Sequence, residues 1–133
     1  MKIFIDTNVF LDVILNRENV QASTQILNSC NQKIFDGYVA DISLLNIDYI
    51  ASKQTKEIRA FLQIINDSFS VVGADNKVFE LAFNIDNKDL EDTIQYVCAS
   101  MQKCDVIVSN DKGFYRGDVE VLDSLGFVEK YLM

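Results

Sequence analysis

The sequence contains no histidine and no proline, and only five of its 133 residues are glycine. The lack of histidine excludes histidine general bases, serine–histidine and cysteine–histidine nucleophile systems, and zinc sites with histidine ligands. Without proline and with little glycine, no stretch has the composition of a flexible linker, and we identify no internal repeat. We therefore expect one domain over residues 1–133.

Cysteine is also scarce, and the number of cysteines argues against a disulfide framework. Cys30, Cys98 and Cys104 are odd in number and show no CxxC spacing, which fits a reducing, cytoplasmic environment. We interpret them as buried structural thiols. No apolar run reaches the roughly 18 residues of a membrane span, and Asp6 and Asp12 interrupt the first apolar stretch. We expect neither a membrane segment nor a signal peptide.

Positive charge is in short supply, with 12 lysines and arginines against 20 acidic residues and a net charge of −8. A protein that coats nucleic acid needs many basic residues to contact phosphates, so this class is disfavoured. A nuclease whose acidic residues are concentrated in a metal site stays compatible with this charge. Clustered carboxylates repel phosphate, so such a protein would need bound cations to work.

Strand-like and helix-like segments alternate along the chain, and 49% of its residues are hydrophobic. The predicted strands are residues 2–5, 33–41, 69–73, 105–109 and 119–123. The predicted helices are residues 9–15, 19–31, 43–53, 55–66 with Thr55 as N-cap, 76–84, 89–102 and 124–132. This alternation predicts an α/β fold with a central parallel sheet of about four to five strands.

Three carboxylates occupy similar places in this pattern. Asp6 follows the first strand, Asp111 follows the strand at 105–109, and Asp92 lies in the first turn of the helix at 89–102. Ligands of open α/β sheets bind at the carboxyl ends of the strands, so these side chains can converge there. Each also has a structural alternative. Asp6 or Thr7 can cap a helix, Asp89 can be an N-cap with Asp92 at N3, and Asp111 can be a turn residue.

The shared placement of these carboxylates favours a site over three separate caps and turns. Carboxylates without histidine are hard oxygen ligands that suit Mg²⁺ or Mn²⁺. Several like charges in close contact require a counter-cation, and the cation in turn activates water and neutralises phosphate charge. The chemistry predicted from these residues is metal-dependent phosphodiester hydrolysis.

Three segments also carry a family likeness, and they span most of the chain. "FIDTNVFLDVIL", "DLEDTIQYVCA" and "DVIVSNDKGF" resemble, in order and spacing, the three signatures of PIN domains. The length is similar to that of VapC-type toxins from toxin–antitoxin pairs. The resemblance implies a three-layer α/β/α sandwich and a Mg²⁺- or Mn²⁺-dependent ribonuclease. It further implies an RNA substrate, a small antitoxin partner and a homodimer.

The resemblance also implies roles for individual residues. Asp6, Asp92 and Asp111 match the catalytic and metal-binding acids of the family. Asn8 and Ser109 match polar positions that orient Asp6 and Asp111. Apart from the resemblance, we interpret Asp89 as a supporting or capping residue. One position departs from the pattern, because Asn46 stands where the family usually has a glutamate. The site would then hold three acids rather than four.

The remaining expectations concern RNA contacts and competing functions. Arg17, Lys112 and Arg116 are candidate phosphate contacts, and the last two flank Asp111. Asp12 either faces solvent or braces Arg17.

A PIN-fold binding protein that has lost catalysis is an alternative to an active ribonuclease, with Asn46 as the trace of that loss. A phosphoacceptor domain of the receiver type is a more distant alternative, because only one acid follows the first strand.

Overall fold

The fold is described by a computed structural model that covers all residues 1–133. Five strands form one sheet in the order β3-β2-β1-β4-β5, and all four neighbouring pairs are parallel. The strands are β1 (Lys2–Ile5), β2 (Asp36–Ala40), β3 (Ser70–Val72), β4 (Val106–Val108) and β5 (Glu120–Leu122). The predicted α/β fold with a parallel sheet is therefore confirmed.

Seven helices connect and follow the strands. They are α1 (Thr7–Ile14), α2 (Val20–Asn31), α3 (Asp41–Ala51), α4 (Ile58–Ser68), α5 (Asn76–Phe83), α6 (Leu90–Met101) and α7 (Ser124–Phe127). Each overlaps a helix predicted from the sequence. None of them has both the length and the hydropathy that crossing a membrane requires.

The predicted N-cap at Thr55 is wrong. Helix α4 begins at Ile58, and Glu57 occupies its N-cap position. The Thr55 hydroxyl accepts a hydrogen bond from the Glu57 backbone N–H at 3.3 Å. This local bond stabilises a turn before the helix, which is the usual competition between threonine side chains and helix geometry.

The last predicted helix, residues 124–132, is α-helical only as far as Phe127. Val128–Leu132 forms a π-helical turn. In this turn the Tyr131 hydroxyl and the Lys130 ammonium both donate to Glu120 on β5, at 3.0 and 2.6 Å. The wider turn thus accompanies side-chain bonds to the edge of the sheet, which the helical periodicity alone does not encode.

Helices cover both faces of the sheet, so its side chains alternate between two cores. Ile3 and Ile5 of β1 pack in the core with α1, α2, α3, α4 and α7, whereas Phe4 packs with α5 and α6. Burial on both faces explains the short continuous apolar runs of the strands β1 and β4. The three-layer α/β/α sandwich is confirmed by this arrangement.

The three cysteines are free and buried within these cores. Burial raises the pKa of Cys30 and of Cys104 to about 12 and that of Cys98 to about 11. The thiols therefore stay protonated near neutral pH, as expected for structural cysteines.

The strand order determines where a ligand can bind. The chain places β2 on one side of β1 and β4 on the other. In open α/β sheets, a crevice forms at such a switch point, beyond the carboxyl ends of the two strands. Residues that follow β1 and β4 therefore meet at this edge.

Candidate metal centre at the carboxyl edge of the sheet

Asp6 follows β1 directly and is almost inaccessible, with 1% of its surface exposed. It stands at the N-cap position of α1, but its side chain makes no capping hydrogen bond. Its Oδ1 accepts from Gln95 Nε2 at 2.8 Å, and its Oδ2 accepts from Ser109 Oγ at 2.7 Å. The capping alternative for Asp6 is therefore excluded, and its carboxylate is instead fixed by side chains of α6 and of the segment after β4.

Gln95 is a site residue that the sequence analysis missed. It is fully buried, and its Oε1 accepts from the Thr7 backbone N–H at 3.3 Å and from Ser43 Oγ at 3.4 Å. Asn8 was expected to orient the Asp6 carboxylate by a hydrogen bond, but Gln95 makes this bond instead. The half-buried Asn8 side chain makes no hydrogen bond in the structure. Gln95 lies three residues after Asp92 on the same predicted helix, and this spacing predicts that the two side chains share one helix face.

Ser109 connects two of the predicted acids. Its hydroxyl donates to Asp6 and accepts from the Asp111 backbone N–H at 3.1 Å. Asp111 Oδ1 accepts from the Gly113 N–H at 2.9 Å, so the turn expected around Asp111 is also present. The turn and the site are compatible because the turn occupies only one of the carboxylate oxygens.

Asp89 and Asp92 lie at the start of α6. Asp89 is the N-cap, and its Oδ1 accepts from the Asp92 N–H at 3.1 Å, so the capping alternative for Asp89 is confirmed. Asp92 is only 6% exposed, and its Oδ2 is buried without any hydrogen-bond partner. One carboxylate oxygen from each of Asp89, Asp92 and Asp111 lies within 4.8 Å of the others.

Burial and mutual repulsion disfavour the charged forms of these acids. Burial raises the pKa of Asp6 to about 6, against the hydrogen bonds from Ser109 and Gln95, and the charges of Glu91 and Asp111 raise it further. Burial also raises the pKa of Asp92, followed by the charges of Asp6 and Asp89 and by the close Asp111 carboxyl group. A divalent cation would remove this conflict.

The donor set fits such a cation. It consists of carboxylate oxygens only, which are the ligands that Mg²⁺ and Mn²⁺ prefer. The partnerless Asp92 Oδ2 supplies a specific reason, because a buried carboxylate oxygen without a partner costs free energy unless an ion or a proton neutralises it.

Glu91 adds a further negative charge at the edge of this centre. Thr7 Oγ1 lies 2.7 Å from Ser43 Oγ and 3.1 Å from Glu91 Oε2, so α1, α3 and α6 meet at one hydroxyl. Asn46 is half-buried on α3, one turn after Ser43, and it does not belong to the carboxylate group. The helix that would carry the fourth acid of the family pattern therefore approaches the site without supplying a charge.

The expectations for Asp12 are wrong. Asp12 is 6% exposed rather than solvent-facing, and its Oδ2 accepts from Asn110 Nδ2 at 2.6 Å. The Arg17 side chain is exposed, and only its backbone N–H contacts Asp12, at the carbonyl oxygen. Asn110 follows β4 and also accepts from the Ser124 N–H at 2.8 Å, so Asp12 helps hold the segment that carries Asp111.

A polar cleft of about 270 Å³ adjoins Asp111. Its lining residues are Glu18, Asn19, Ser109, Asn110, Asp111, Lys112, Arg116 and Asp123. Lys112 and Arg116 therefore lie beside Asp111, whereas Arg17 does not line the cleft. Arg116 Nη1 donates to the Val121 carbonyl at 3.1 Å, which holds this guanidinium against β5.

The chain has clear relatives among known proteins. Residues 2–113 match the PIN domain. Ribonuclease VapC1 of Aquifex aeolicus (strain VF5) is 35% identical over 140 aligned positions, which cover 98% of this chain and 95% of that protein.

Solved structures share the fold at low sequence identity. VapBC2 from Rickettsia felis, bound to a DNA fragment from its promoter, has a TM-score of 0.71 at 15% identity, over 92% of this chain and 98% of that chain. A toxin–antitoxin complex from Klebsiella pneumoniae has a TM-score of 0.71 at 16% identity, over 91% of this chain and 96% of that chain. VapC20 of Mycobacterium tuberculosis is a toxin that cleaves the sarcin-ricin loop. It has a TM-score of 0.69 at 12% identity, over 84% of this chain and 92% of that chain.

Proposed function

The chain belongs to the PIN domain family, and from this premise we propose that it is a metal-dependent endoribonuclease that hydrolyses RNA phosphodiester bonds. The observation that carries the proposal is the partnerless, buried Asp92 Oδ2 within a group of carboxylates at the switch point of the sheet. The similarity to Ribonuclease VapC1 over nearly the whole chain supports the choice of RNA as substrate.

The proposed catalytic and metal-holding acids are Asp6, Asp92 and Asp111. Bound Mg²⁺ or Mn²⁺ would lower the pKa of a coordinated water and neutralise charge on the phosphate. Gln95 and Ser109 hold the Asp6 carboxylate in one orientation, and Ser109 also positions the backbone of Asp111. Rigid support of this kind is what charged groups at a reacting centre require.

RNA would approach along the polar cleft beside Asp111. Lys112 is exposed there, and Arg116 is anchored nearby, so both can contact phosphates that flank the scissile bond. Arg17 is exposed outside the lining of the cleft and would contact only a longer RNA. These contacts are few, in keeping with the net charge of −8.

A toxin of this family would be inhibited by a small antitoxin protein, and we propose such a protein as a partner of this chain. The similar structures from Rickettsia felis and Klebsiella pneumoniae are toxin–antitoxin assemblies. An apolar groove of about 360 Å³ between α1, α2 and α4, which includes Phe10, Leu27 and Phe61, offers such a partner a surface. A homodimer is a further part of the proposal, and the exposed Leu45 and Tyr49 of α3 are candidates for its interface.

The test is cleavage of RNA by the purified protein with Mg²⁺, with Mn²⁺ and with EDTA. We expect cleavage only with a divalent cation, and a loss of about 100-fold or more in Asp6→Asn. Asp36→Asn is the matched control, because Asp36 is an exposed aspartate at the opposite, amino end of β2. Cleavage that persists in EDTA or in Asp6→Asn would contradict the proposal.

A second candidate function is a PIN-fold module that binds RNA or protein but has weak or no catalytic activity. The uncharged Asn46 on α3 favours this alternative, because asparagine is a poor base and adds no charge to a metal site. The cleavage assay and a titration of RNA binding to the same protein together separate the two functions. RNA binding without turnover, unchanged by Mn²⁺, would support the binding module.

A further inference from the structure

We propose that Asp89 is a ligand of the divalent cation and supplies the carboxylate that position 46 lacks. This inference rests on the proposed metal-dependent function but gives a metal-binding role to Asp89, which the sequence predicted only as a supporting or capping residue. Its basis is the group formed by Asp89, Asp92 and Asp111, whose oxygens lie within 4.8 Å of one another. Asp6 is adjacent, but it is not a member of this group.

The partnerless Asp92 Oδ2 is a second and independent observation. Asp92 is more than nine-tenths buried, and no N–H or hydroxyl group of the protein donates a hydrogen bond to this oxygen. The Asp92 carboxylate lies within reach of the carboxylates of both Asp89 and Asp111. An ion between these three residues would neutralise the Asp92 carboxylate, one oxygen of which the protein itself leaves unpaired.

Asp89 is held in place for this role. Its Oδ1 caps α6, and the structure contains no hydrogen bond to its Oδ2. Thr93 donates to the Asp89 carbonyl from both its hydroxyl, at 2.8 Å, and its backbone N–H, at 3.1 Å. Asn87 donates to Thr93 Oγ1 at 2.8 Å and to the Asp89 carbonyl at 3.3 Å, so residues before and after Asp89 in the sequence both hold its backbone. A ligand held in this way loses little entropy when it binds an ion.

Asp89 has more free capacity to bind a cation than Asp6 has. Asp6 already accepts hydrogen bonds on both of its oxygens, whereas Asp89 has a whole oxygen free. Asn46 contributes no charge, so the carboxylates near the ion come from the end of β1, the start of α6 and the segment after β4. Helix α6 thereby replaces α3 as the source of the fourth acid.

The experiment measures binding of Mn²⁺ alone to the full chain near neutral pH, by calorimetry and by electron paramagnetic resonance of the free ion. In Asp89→Asn, the asparagine oxygen can still cap α6, so the variant removes the charge and keeps the cap. We expect about a tenfold or greater loss of Mn²⁺ affinity, because carboxylate charge is a main determinant of affinity at such sites.

Asp75→Asn is the matched control. Asp75 is the N-cap of α5 and accepts from the Val78 N–H at 3.1 Å, with the same chemistry outside the carboxylate group. We expect its Mn²⁺ affinity to equal that of the unmodified protein. An affinity in Asp89→Asn within about twofold of the unmodified protein, or an equal loss in Asp75→Asn, would overturn the inference, as would the absence of Mn²⁺ binding by the unmodified chain.

The result is separate from the outcome of the cleavage assay. A protein that binds Mn²⁺ through Asp89 but cleaves no RNA would support this inference and contradict the proposed activity. A protein that cleaves RNA with Mn²⁺, while Asp89→Asn binds the ion normally, would retain the activity and overturn the role of Asp89.

Discussion

At the scale of single residues, the site is built from groups whose burial is unfavourable on its own. Asp6 is buried with two hydrogen-bond donors, and these do not fully compensate for the loss of water, so its pKa remains raised to about 6. Asp92 is buried with one oxygen unpaired. Such groups reduce stability in the absence of a cation, and their retention is expected where function requires them.

The first prediction is a pH dependence of stability in the metal-free protein. Asp6 has a folded-state pKa of about 6 against an ordinary value of 3.8, so the folded state binds more protons between these values. The contribution of Asp6 to stability is therefore fully present below about pH 3.8 and is lost as the pH rises through about 6. The loss amounts to about 3 kcal/mol when both states are ionised.

Urea unfolding in EDTA at about pH 4.5 and about pH 7.5 measures this effect. Asp6→Asn cannot ionise, so its unfolding free energy should rise relative to that of the unmodified protein as the pH increases. Parallel pH profiles for the two proteins would contradict the assignment of a raised pKa to Asp6.

At the scale of elements, helix α6 and its N-cap carry three of the site residues. Asp89, Asp92 and Gln95 recur at intervals of three residues, so their side chains share one face of the helix. The cap at Asp89 sets where the helix begins, and this start directs Asp92 and Gln95 towards the ends of β1 and β4. A change at the helix start would therefore move several site residues together.

Close packing against β2 gives the second prediction. A Cβ on Gly37 would stand 2.5 Å from Phe69 Cδ2 and 2.9 Å from Cys30 Sγ. Position 37 of β2 therefore has space only for glycine. Phe69 itself packs edge-on against Phe10 with ring centroids 5.3 Å apart, which limits its movement. We expect Gly37→Ala to lower the free energy of unfolding by about 1–3 kcal/mol.

Chemical denaturation measures this change, with Gly73→Ala as the control. A Cβ on Gly73 would meet only Asp41 Oδ2 at 3.8 Å, an ordinary contact distance. Its effect should stay within about 0.5 kcal/mol. Equal stability of the two variants would show that the β2 contact with Phe69 is not close-packed.

At the scale of the whole molecule, the charge distribution limits how RNA can bind. The net charge is −8, and the polar cleft beside Asp111 includes only the two basic residues Lys112 and Arg116. Binding of a polyanion to such a surface depends on a few phosphate contacts and on cations in the site.

The third prediction concerns Lys112→Gln. We expect about a three- to tenfold increase in KM for RNA with kcat nearly unchanged, and a reduction of about one in the slope of log affinity against log salt. Steady-state kinetics at several salt concentrations measure both quantities. Lys77→Gln on α5 is the control, because Lys77 is exposed and does not line the cleft. A fall in kcat at unchanged KM would instead place Lys112 in the chemical step.

The sequence by itself determined the order of strands and helices and the acids at their ends. Apolar periodicity and element ends are local properties, so the positions of Asp6 and Asp111 after strands and of Asp92 at a helix start could be predicted without coordinates. The family likeness rested on the same short segments, and the match over residues 2–113 agrees with it.

Only the tertiary structure decided which side chains support these acids. Gln95 reaches Asp6 across 89 positions of sequence, and Asn110 reaches Asp12 across 98. Such pairs depend on the strand order that brings β4 beside β1 and on how α6 lies over their ends. A hydrogen bond requires its atoms to approach within about 3 Å, and local sequence patterns do not specify positions to that precision.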